Sequence, residues 1–525
     1  MSRRCLPVTF LSLILALTAC LTSDPEPSAS ASVATAAPSR TPLPTSEATP
    51  SPTPIPEVEV PLAVVTGYTN PRAAITQAEV EAAIQADTFI QLCELLTAAD
   101  PVPRCLDADA IVEHLLANPT DLAFLPAGLV VPTIKVLPVD GADIFGNAEA
   151  RAAAYPYSVA VQLDGGRERW AMDVTDVRTL ISLGDSCPDR GVAHAAITLG
   201  RGWEYVFGGG TAAYTAVYPN PVPEGFVGNG FNIVDAVPTG NEGAVAELVS
   251  GADITLDDFE CPVVDDWTVN EGVVFSIDPA VLPHLRDTYG VDVATLAANH
   301  LFDRGTPGFL QTLDKFADAR IATAGAGADL AAALEPALVD VNGLTFGFVA
   351  FNEIPGSLEA GPQQPGVLWL RDANVIEAVS RARAGGADLV FCVPQWWGGS
   401  EYHAQFIGDM RRQQQVFFDA GCDHVVGHGT HWSGPIEVAE LEDGRHTVTM
   451  VSHGNFLFGQ EWSQQTQEGV ILELAFVGTR LAQARMHPYI MLEQAQTNLT
   501  DPATDGMWVL NRIYEASGLP VVAAP

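Results

Sequence analysis

Six polar residues stand where apolar runs stop: Asp185 in ISLGDSCPDRG, Glu260 in ITLDDFECP, Asn299 and His300 in ATLAANHLFDRG, and His428 and His431 in VVGHGTHWSG. Carboxylates, an amide oxygen and imidazoles form the ligand set of hard-to-borderline divalent ions. Two ions about 3.5–4 Å apart need a shared carboxylate plus separate ligands for each. Taken alone, a histidine at a strand end is more often a hydrogen-bonded structural residue. GHGTH says more, because its two imidazoles lie on a glycine-rich turn after an apolar run. Together the six residues predict a metal centre.

Such residues act together only if the chain carries them to one place. VRTLISLGDSCPDRG, GADITLDDFECP, VDVATLAANHLFDRG, RAGGADLVFCVPQWWGG, DAGCDHVVGHGTHWSG and HTVTMVSHGNFLFG each read as an apolar strand with polar residues at its carboxyl end. Helical segments such as TPGFLQTLDKFADA and AQFIGDMRRQQQVFFDAG alternate with them. In an open α/β arrangement the carboxyl ends gather at one edge, and sites form there. Residues 62–170 make a first unit with its own alternation. LAVVTGY and TIKVLPVDG read as strands, and DADAIVEHLLANP as an amphipathic helix. TQAEVEAAIQ opens a helix with a threonine cap and a glutamate at the third helical position. The predicted class is α/β.

A chain of 525 residues, 47% of them apolar, can bury sizeable cores, and about 100–200 residues per domain implies two or three domains. The net charge of −39 excludes nucleic acid as a partner, because little is there to neutralise phosphates. MSRRCLPVTFLSLILALTAC has the form of an export signal, with Arg3 and Arg4 before an apolar run from Phe10 to Leu17 that is too short for a permanent bilayer span. Its end, Leu17-Thr18-Ala19-Cys20, resembles a bacterial lipobox. That resemblance implies removal of residues 1–19 and lipid attachment to Cys20; the alternative is an ordinary signal with a cysteine at this point. Residues 20–61 are rich in Pro, Ser and Thr and carry few large apolar side chains, so they are expected to tether the rest to the membrane surface. Cys5 leaves with the signal, and six cysteines remain: Cys93, Cys105, Cys187, Cys261, Cys392 and Cys422. An even count in an exported chain predicts disulfides, with 15 possible connectivities. Free buried thiols are the alternative. No CxxC spacing occurs, which argues against a zinc ribbon.

GDSCPDRG, ADITLDDFECP, TLAANHLFDRG, GHGTHWSGPIE and SHGNFLFG stand in the order of the capsule-synthesis CapA family, which is linked to poly-γ-glutamate capsules and lies in the calcineurin-like metallophosphoesterase superfamily. The chain resembles that family over about residues 178–490, within a domain spanning 176–490 and followed by a C-terminal extension, 491–525. The resemblance implies a two-sheet sandwich flanked by helices, preceded by the smaller α/β lobe, with one or two divalent ions (Mn, Zn, Fe or Mg) at the strand ends. It implies Asp185 on the first metal, Glu260 as the bridging ligand, Asn299 on the second metal, and His428 and His431 completing the two sites. His300 would stand beside the reacting group as an acid or electrostatic stabiliser, and Asn455 would orient the loop beneath. Two features depart from the family pattern. Asp258-Phe259-Glu260 replaces the usual Asn-x-Glu, and Gln395, a weaker ligand, stands where the family often has a histidine before WG.

Between Asp185 and Glu260 lies a glycine-rich insertion whose Trp203, Tyr205, Tyr214 and Tyr218 would form either a polymer-stacking lid or a loop packed on its own aromatics. If both acids serve one cluster, Cys187 and Cys261 follow neighbouring strand ends and pair. The same reasoning pairs Cys392 with Cys422 on the fourth and fifth strands and leaves Cys93 with Cys105. AFLPAGLV, IKVLPVDG and AYPYSVAVQLDG in the first unit resemble one lobe of a periplasmic phosphate-binding-type protein, which implies a small-anion site there; a structural or docking module is the alternative. The expected function is that of a lipid-anchored, extracytoplasmic CapA-like protein, a metal-dependent hydrolase in capsule or poly-γ-glutamate synthesis or export. The rival is a non-catalytic surface protein that binds or scaffolds an anionic capsule polymer.

Overall fold

The computed structural model describes residues 56–96, 104–220, 231–270, 272–441 and 443–521. The export signal, Cys20 and the tether up to residue 55 lie outside the described residues. Among the described residues no helix is long and apolar enough to cross a membrane.

Two sheets form a sandwich. Down the middle of the larger runs Val177–Cys187, parallel to Ile254–Phe259, which is parallel in turn to Val293–Thr295 and then Ala322–Ala324. On its other side follow Glu468–Val477, Arg480–Leu492, Gln496–Thr500, Thr211–Asn220 and Phe231–Pro238. Asn455–Phe458 pairs with the last residues of Val177–Cys187. In the second sheet Leu344–Asn352, Leu389–Gln395, His424–Val426 and His446–Met450 are parallel neighbours, edged by the antiparallel Ala337–Val341 and Ile436–Glu440. Parallel neighbours require crossovers, and the helices Gly305–Ala319, Asp372–Ala384 and Met410–Ala420 supply them. Ile254–Phe259 and Leu389–Gln395 are buried along their whole length, as expected of strands covered on both faces. Leu180, Leu256, Val293 and Leu472 of one sheet meet Phe346, Phe348, Phe391 and Met450 of the other in a shared core.

A third sheet belongs to the N-terminal lobe. Glu57–Gly67 lies between Leu122–Pro126 and Ile134–Val136, and its first residues also pair with Ser158–Gln162. The strand therefore begins inside the stretch expected as tether. The helix Gln77–Gln85 starts as its sequence predicts, with a reciprocal capping box between Thr76 and Glu79. The lobe sits on the larger sheet: the Gln483 side chain accepts from the Val136 N–H at 2.8 Å and donates to the Ile134 carbonyl at 3.1 Å.

Residues 492–521 are part of the fold. Gln496–Thr500 joins the larger sheet, and Met507–Ala516 packs Val509, Leu510, Ile513 and Tyr514 into the shared core. Among the described residues, the rings of the aromatic insertion do not form one surface. Trp203 is buried in the helix Trp203–Phe207 and donates its indole N–H to Asp278 at 3.0 Å, and Tyr214 donates to Glu468 at 2.8 Å. The side chain of Tyr218 lies outside the described residues. Disulfides join Cys93 to Cys105, Cys187 to Cys261 and Cys392 to Cys422, with Cα separations of 5.1, 5.4 and 5.9 Å. These are the expected pairings, and the separations fall in the ordinary range.

Candidate metal centre

Backbone pairing sets the acids side by side. Asp185 is in register with Asp258 on one flank and Asn455 on the other. An irregularity between Leu256 and Asp258 shifts the register at this point, as bulges do when they re-aim a side chain. Strand alternation then puts Asp258 and Glu260 on one face and Asp257 on the other, where it accepts from the Ser186 hydroxyl at 2.7 Å. From the second sheet, the His428 N–H donates to the Pro394 carbonyl, and the Trp396 N–H donates to the His428 carbonyl, both at 2.9 Å. The turn after His428 depends on Gly429: its φ is +88°, and a Cβ there would lie 2.6 Å from Gln395 Cγ. Its N–H donates to Asp185 Oδ1 at 3.3 Å.

The result is two buried trios, Asp185–Asp258–His428 and Asp185–Glu260–His431, each with ligand atoms within 4.8 Å of one another. Asp185 belongs to both, with His428 Nδ1 3.2 Å from Oδ1 and His431 Nδ1 3.2 Å from Oδ2. The resemblance implies Glu260 as the bridge, whereas the carboxylate common to both trios is Asp185. Several buried atoms here have no hydrogen-bond partner: Asp258 Oδ2, both carboxylate oxygens of Glu260, Asn299 Oδ1 and His428 Nε2. A buried acceptor without a donor is costly, on the order of 1–3 kcal/mol and more when charged. Orphan oxygen and imidazole acceptors around one shared carboxylate fit a divalent cation.

The electrostatics agree. Burial pushes Asp258 up to about 6 and Glu260 up to about 7. Burial also opposes the Asp185 charge, yet hydrogen bonds from His428 and His431 hold that carboxyl well below the usual range. Burial works against a charged His431, but Asp185 and Glu260 lift it to about 9. His431 thus carries positive charge among the acids here, a place that a metal ion takes by displacing protons.

His300 stands at the margin of this cluster. Its Nδ1 is 2.9 Å from Asp303 Oδ2, and its ring packs edge-on against Phe275. Burial disfavours its charge, but Asp303 and then Glu260 raise it above the ordinary imidazole value. Asn299 is tied in through Gln395, whose side-chain oxygen accepts the Asn299 N–H at 3.1 Å. That oxygen therefore positions backbone, and the Gln395 amino group faces no acceptor among the described residues. Asn455 Oδ1 lies 2.9 Å from His431 Nδ1, and the Asn455 amide donates to the Thr466 carbonyl at 3.0 Å. Three residues to which the sequence reading gave no role also belong here. Asp258 completes a trio, Asp303 orients His300, and His453 stacks on His428 with 4.9 Å between ring centres. Alternation could have found Asp258, two residues before Glu260; nothing local marks His453.

Acids and imidazoles buried at the strand tips of an α/β sandwich define a protein with a metal-type centre. The chain belongs to the bacterial capsule synthesis protein PGA_cap family, which matches residues 179–460. It is 33% identical to the PGA biosynthesis protein CapA of Bacillus subtilis over 34% of this chain and 46% of that protein. It is 25% identical to the capsule biosynthesis protein CapA of Bacillus anthracis over 43% of this chain and 56% of that one. The chain thus spans about half the length of these curated relatives. Among solved structures, the 5′-nucleotidase precursor of Thermus thermophilus aligns with 61% of this chain and 56% of its own, at 15% identity and a TM-score of 0.34.

Proposed function

We propose that this protein is a metal-dependent hydrolase of capsule or poly-γ-glutamate synthesis, held at the outer face of the membrane by lipid on Cys20. The observation that carries the reading is the pair of buried trios sharing Asp185, with unpartnered ligand atoms around them. Asp185, Asp258 and His428 would hold one divalent ion, and Asp185, Glu260 and His431 a second, with Asn299 close by. A divalent ion bound there supplies Lewis acidity and activates water at neutral pH. The chain's own residues do the rest. Asp303 fixes Nδ1 of His300, so Nε2 is the atom that gives a proton to a leaving group. Asn455 fixes His431, and Gln395 fixes the Asn299 backbone.

Metal analysis of the purified protein before and after a chelator tests this, paired with hydrolysis of bis(p-nitrophenyl) phosphate. One or two equivalents of metal, with activity lost to chelator and restored by manganese, are expected. A protein that takes up no divalent metal sinks the reading. The second reading, a non-catalytic binder of an anionic polymer, draws on Gln395, which stands in place of an imidazole and whose oxygen is already engaged. Metal uptake without hydrolysis of any ester or amide tested would favour it. The anchoring part stands on the lipobox-like end of the signal. Cys20→Ala should shift the protein from the membrane fraction to the supernatant or leave an unprocessed precursor; unchanged fractionation with normal maturation would refute it.

A further inference from the structure

Arg190 follows the Asp185 strand by a short turn, in a backbone conformation that an arginine seldom adopts, with φ +48°. Asp189, itself buried, holds the turn. Its Oδ1 accepts from the N–H groups of Arg190 at 2.8 Å and Asn270 at 3.0 Å, and its Oδ2 from Ser276 at 2.9 Å. That carboxylate takes its hydrogen bonds from backbone, and its charge also supports the guanidinium beside it. A non-glycine residue in such a conformation carries strain and persists where the surroundings over-determine it.

The turn places the guanidinium on an aromatic seat. Its central carbon lies 4.6 Å from the centre of Phe275, 5.7 Å from Phe458 and 5.9 Å from Trp462. Phe275 also backs His300, with ring centres 4.6 Å apart, and Phe458 backs His431 at 5.2 Å. The cation therefore rests on the same two rings as two imidazoles of the centre. Burial works against its charge, and Glu260 is among the groups that support it. Nε donates to the Gly272 carbonyl at 2.7 Å, while the two terminal nitrogens take no hydrogen bond or ion pair among the described residues.

An acidic centre in a chain of net charge −39 repels an anionic substrate. A fixed, half-buried fork of N–H donors beside it answers that repulsion, because a guanidinium matches the two oxygens of a carboxylate or phosphate. We propose that Arg190 is the substrate-binding residue of this centre, its terminal nitrogens holding a carboxylate or phosphate group of the substrate beside the acids and imidazoles grouped on Asp185. The assignment rests on the metal-centre reading.

Calorimetric titration with inorganic phosphate, and separately with glutarate, tests it on manganese-supplemented wild type, Arg190→Gln and Arg190→Lys. Bound manganese and a thermal melt are measured on the same samples. Wild type should bind at least one oxyanion. Arg190→Gln should weaken that binding at least tenfold with manganese content unchanged, and Arg190→Lys should fall between, since lysine keeps the charge without the fork. Tighter phosphate binding assigns a phosphoester substrate, and tighter glutarate binding a carboxylate-bearing one. Unchanged affinity in Arg190→Gln, or no oxyanion binding by manganese-loaded wild type, overturns the assignment and leaves the metal centre standing. Wild type that takes up no manganese overturns the metal reading; oxyanion binding that still depends on Arg190 would then uphold this residue's role by itself.

Discussion

Asp185 is the residue on which the centre turns, because each of its oxygens meets a different imidazole. Asp185→Asn keeps the shape but removes the shared charge, so metal analysis should show both ions lost or strongly weakened. Asp258→Asn touches only the trio with His428 and should leave one ion per chain. Equal losses in the two variants would refute a shared role for Asp185. A second residue sets a pH limit away from the centre. His424 is buried against Phe391 and Phe476, and its Nδ1 accepts the Val448 N–H at 3.2 Å. Burial lowers it to about 4, with Asp423 opposing and Arg445 assisting that shift. The unfolded chain accepts a proton near 6.5 that the folded one refuses, so stability is full above that pH and falls as pH drops toward 4. At pH 5 the loss is about 2 kcal/mol, and His424→Gln should show a urea midpoint that falls less than wild type's between pH 7.5 and 5. Most acids and histidines of the centre were legible in sequence because each ends an apolar run. The shared role of Asp185 was not, since it depends on which oxygen faces which ring across two sheets.

The elements that carry those residues were legible wherever an apolar run or a cap announced them: Val177–Cys187, Leu389–Gln395 and the capped helix Gln77–Gln85 lie where their sequences put them. Pairing between distant segments was not legible. Gln496–Thr500 is short and polar, and it becomes a strand because Arg480–Leu492 offers it an edge. Glu57 and Glu59 read as tether, yet they alternate with Val58 and Val60 in a strand paired to Ser158–Gln162. For Trp203 a stacking lid and a self-packed loop both stay open in the sequence, because composition does not tell which way a ring turns; it turns into the core. One cross-link ties elements to chemistry. Cys187 and Cys261 join the loops leaving the Asp185 and Glu260 strands, 74 positions apart in the chain. Cys187→Ser with Cys261→Ser should cost about 2–5 kcal/mol of stability and weaken metal binding under conditions where the protein is still folded. Urea unfolding and metal titration read the two effects separately. Unchanged metal affinity would show that the bond stabilises the fold without bracing the centre.

At the scale of the whole molecule, the N-terminal lobe is joined to the sandwich by a buried ion cluster. Arg485, on a strand of the larger sheet, donates to both carboxylate oxygens of Asp143 in the lobe, at 3.0 Å to Oδ1, and to the Val136 carbonyl at 3.3 Å. Glu473 lies 3.9 Å from the same guanidinium and 2.8 Å from His487. The Arg485 and Asp143 side chains are only 10% and 5% exposed. Arg485, Asp143 and Lys135 also line a cavity of about 830 Å³ at this junction. Removing one partner from a buried pair costs about 3–5 kcal/mol, whereas replacing both by apolar residues of similar size is often near neutral. Arg485→Met should therefore lose several kcal/mol in chemical denaturation, and Arg485→Met combined with Asp143→Leu should recover much of it. The loss should appear first in the lobe, because the sandwich keeps its own core between the two sheets, while the lobe gives up one of its ties to the sandwich and depends on the rest: Gln483, the Arg480 hydrogen bond to the Val130 carbonyl, the Arg151–Asp253 pair, the Tyr68–Tyr514 contact and apolar contacts with Ala475 and Ala482. Limited proteolysis of Arg485→Met should accordingly cut within the lobe before the sandwich. Simultaneous cutting of both would mean that the lobe and the sandwich unfold as one unit, with the ion cluster inside it and not at a joint.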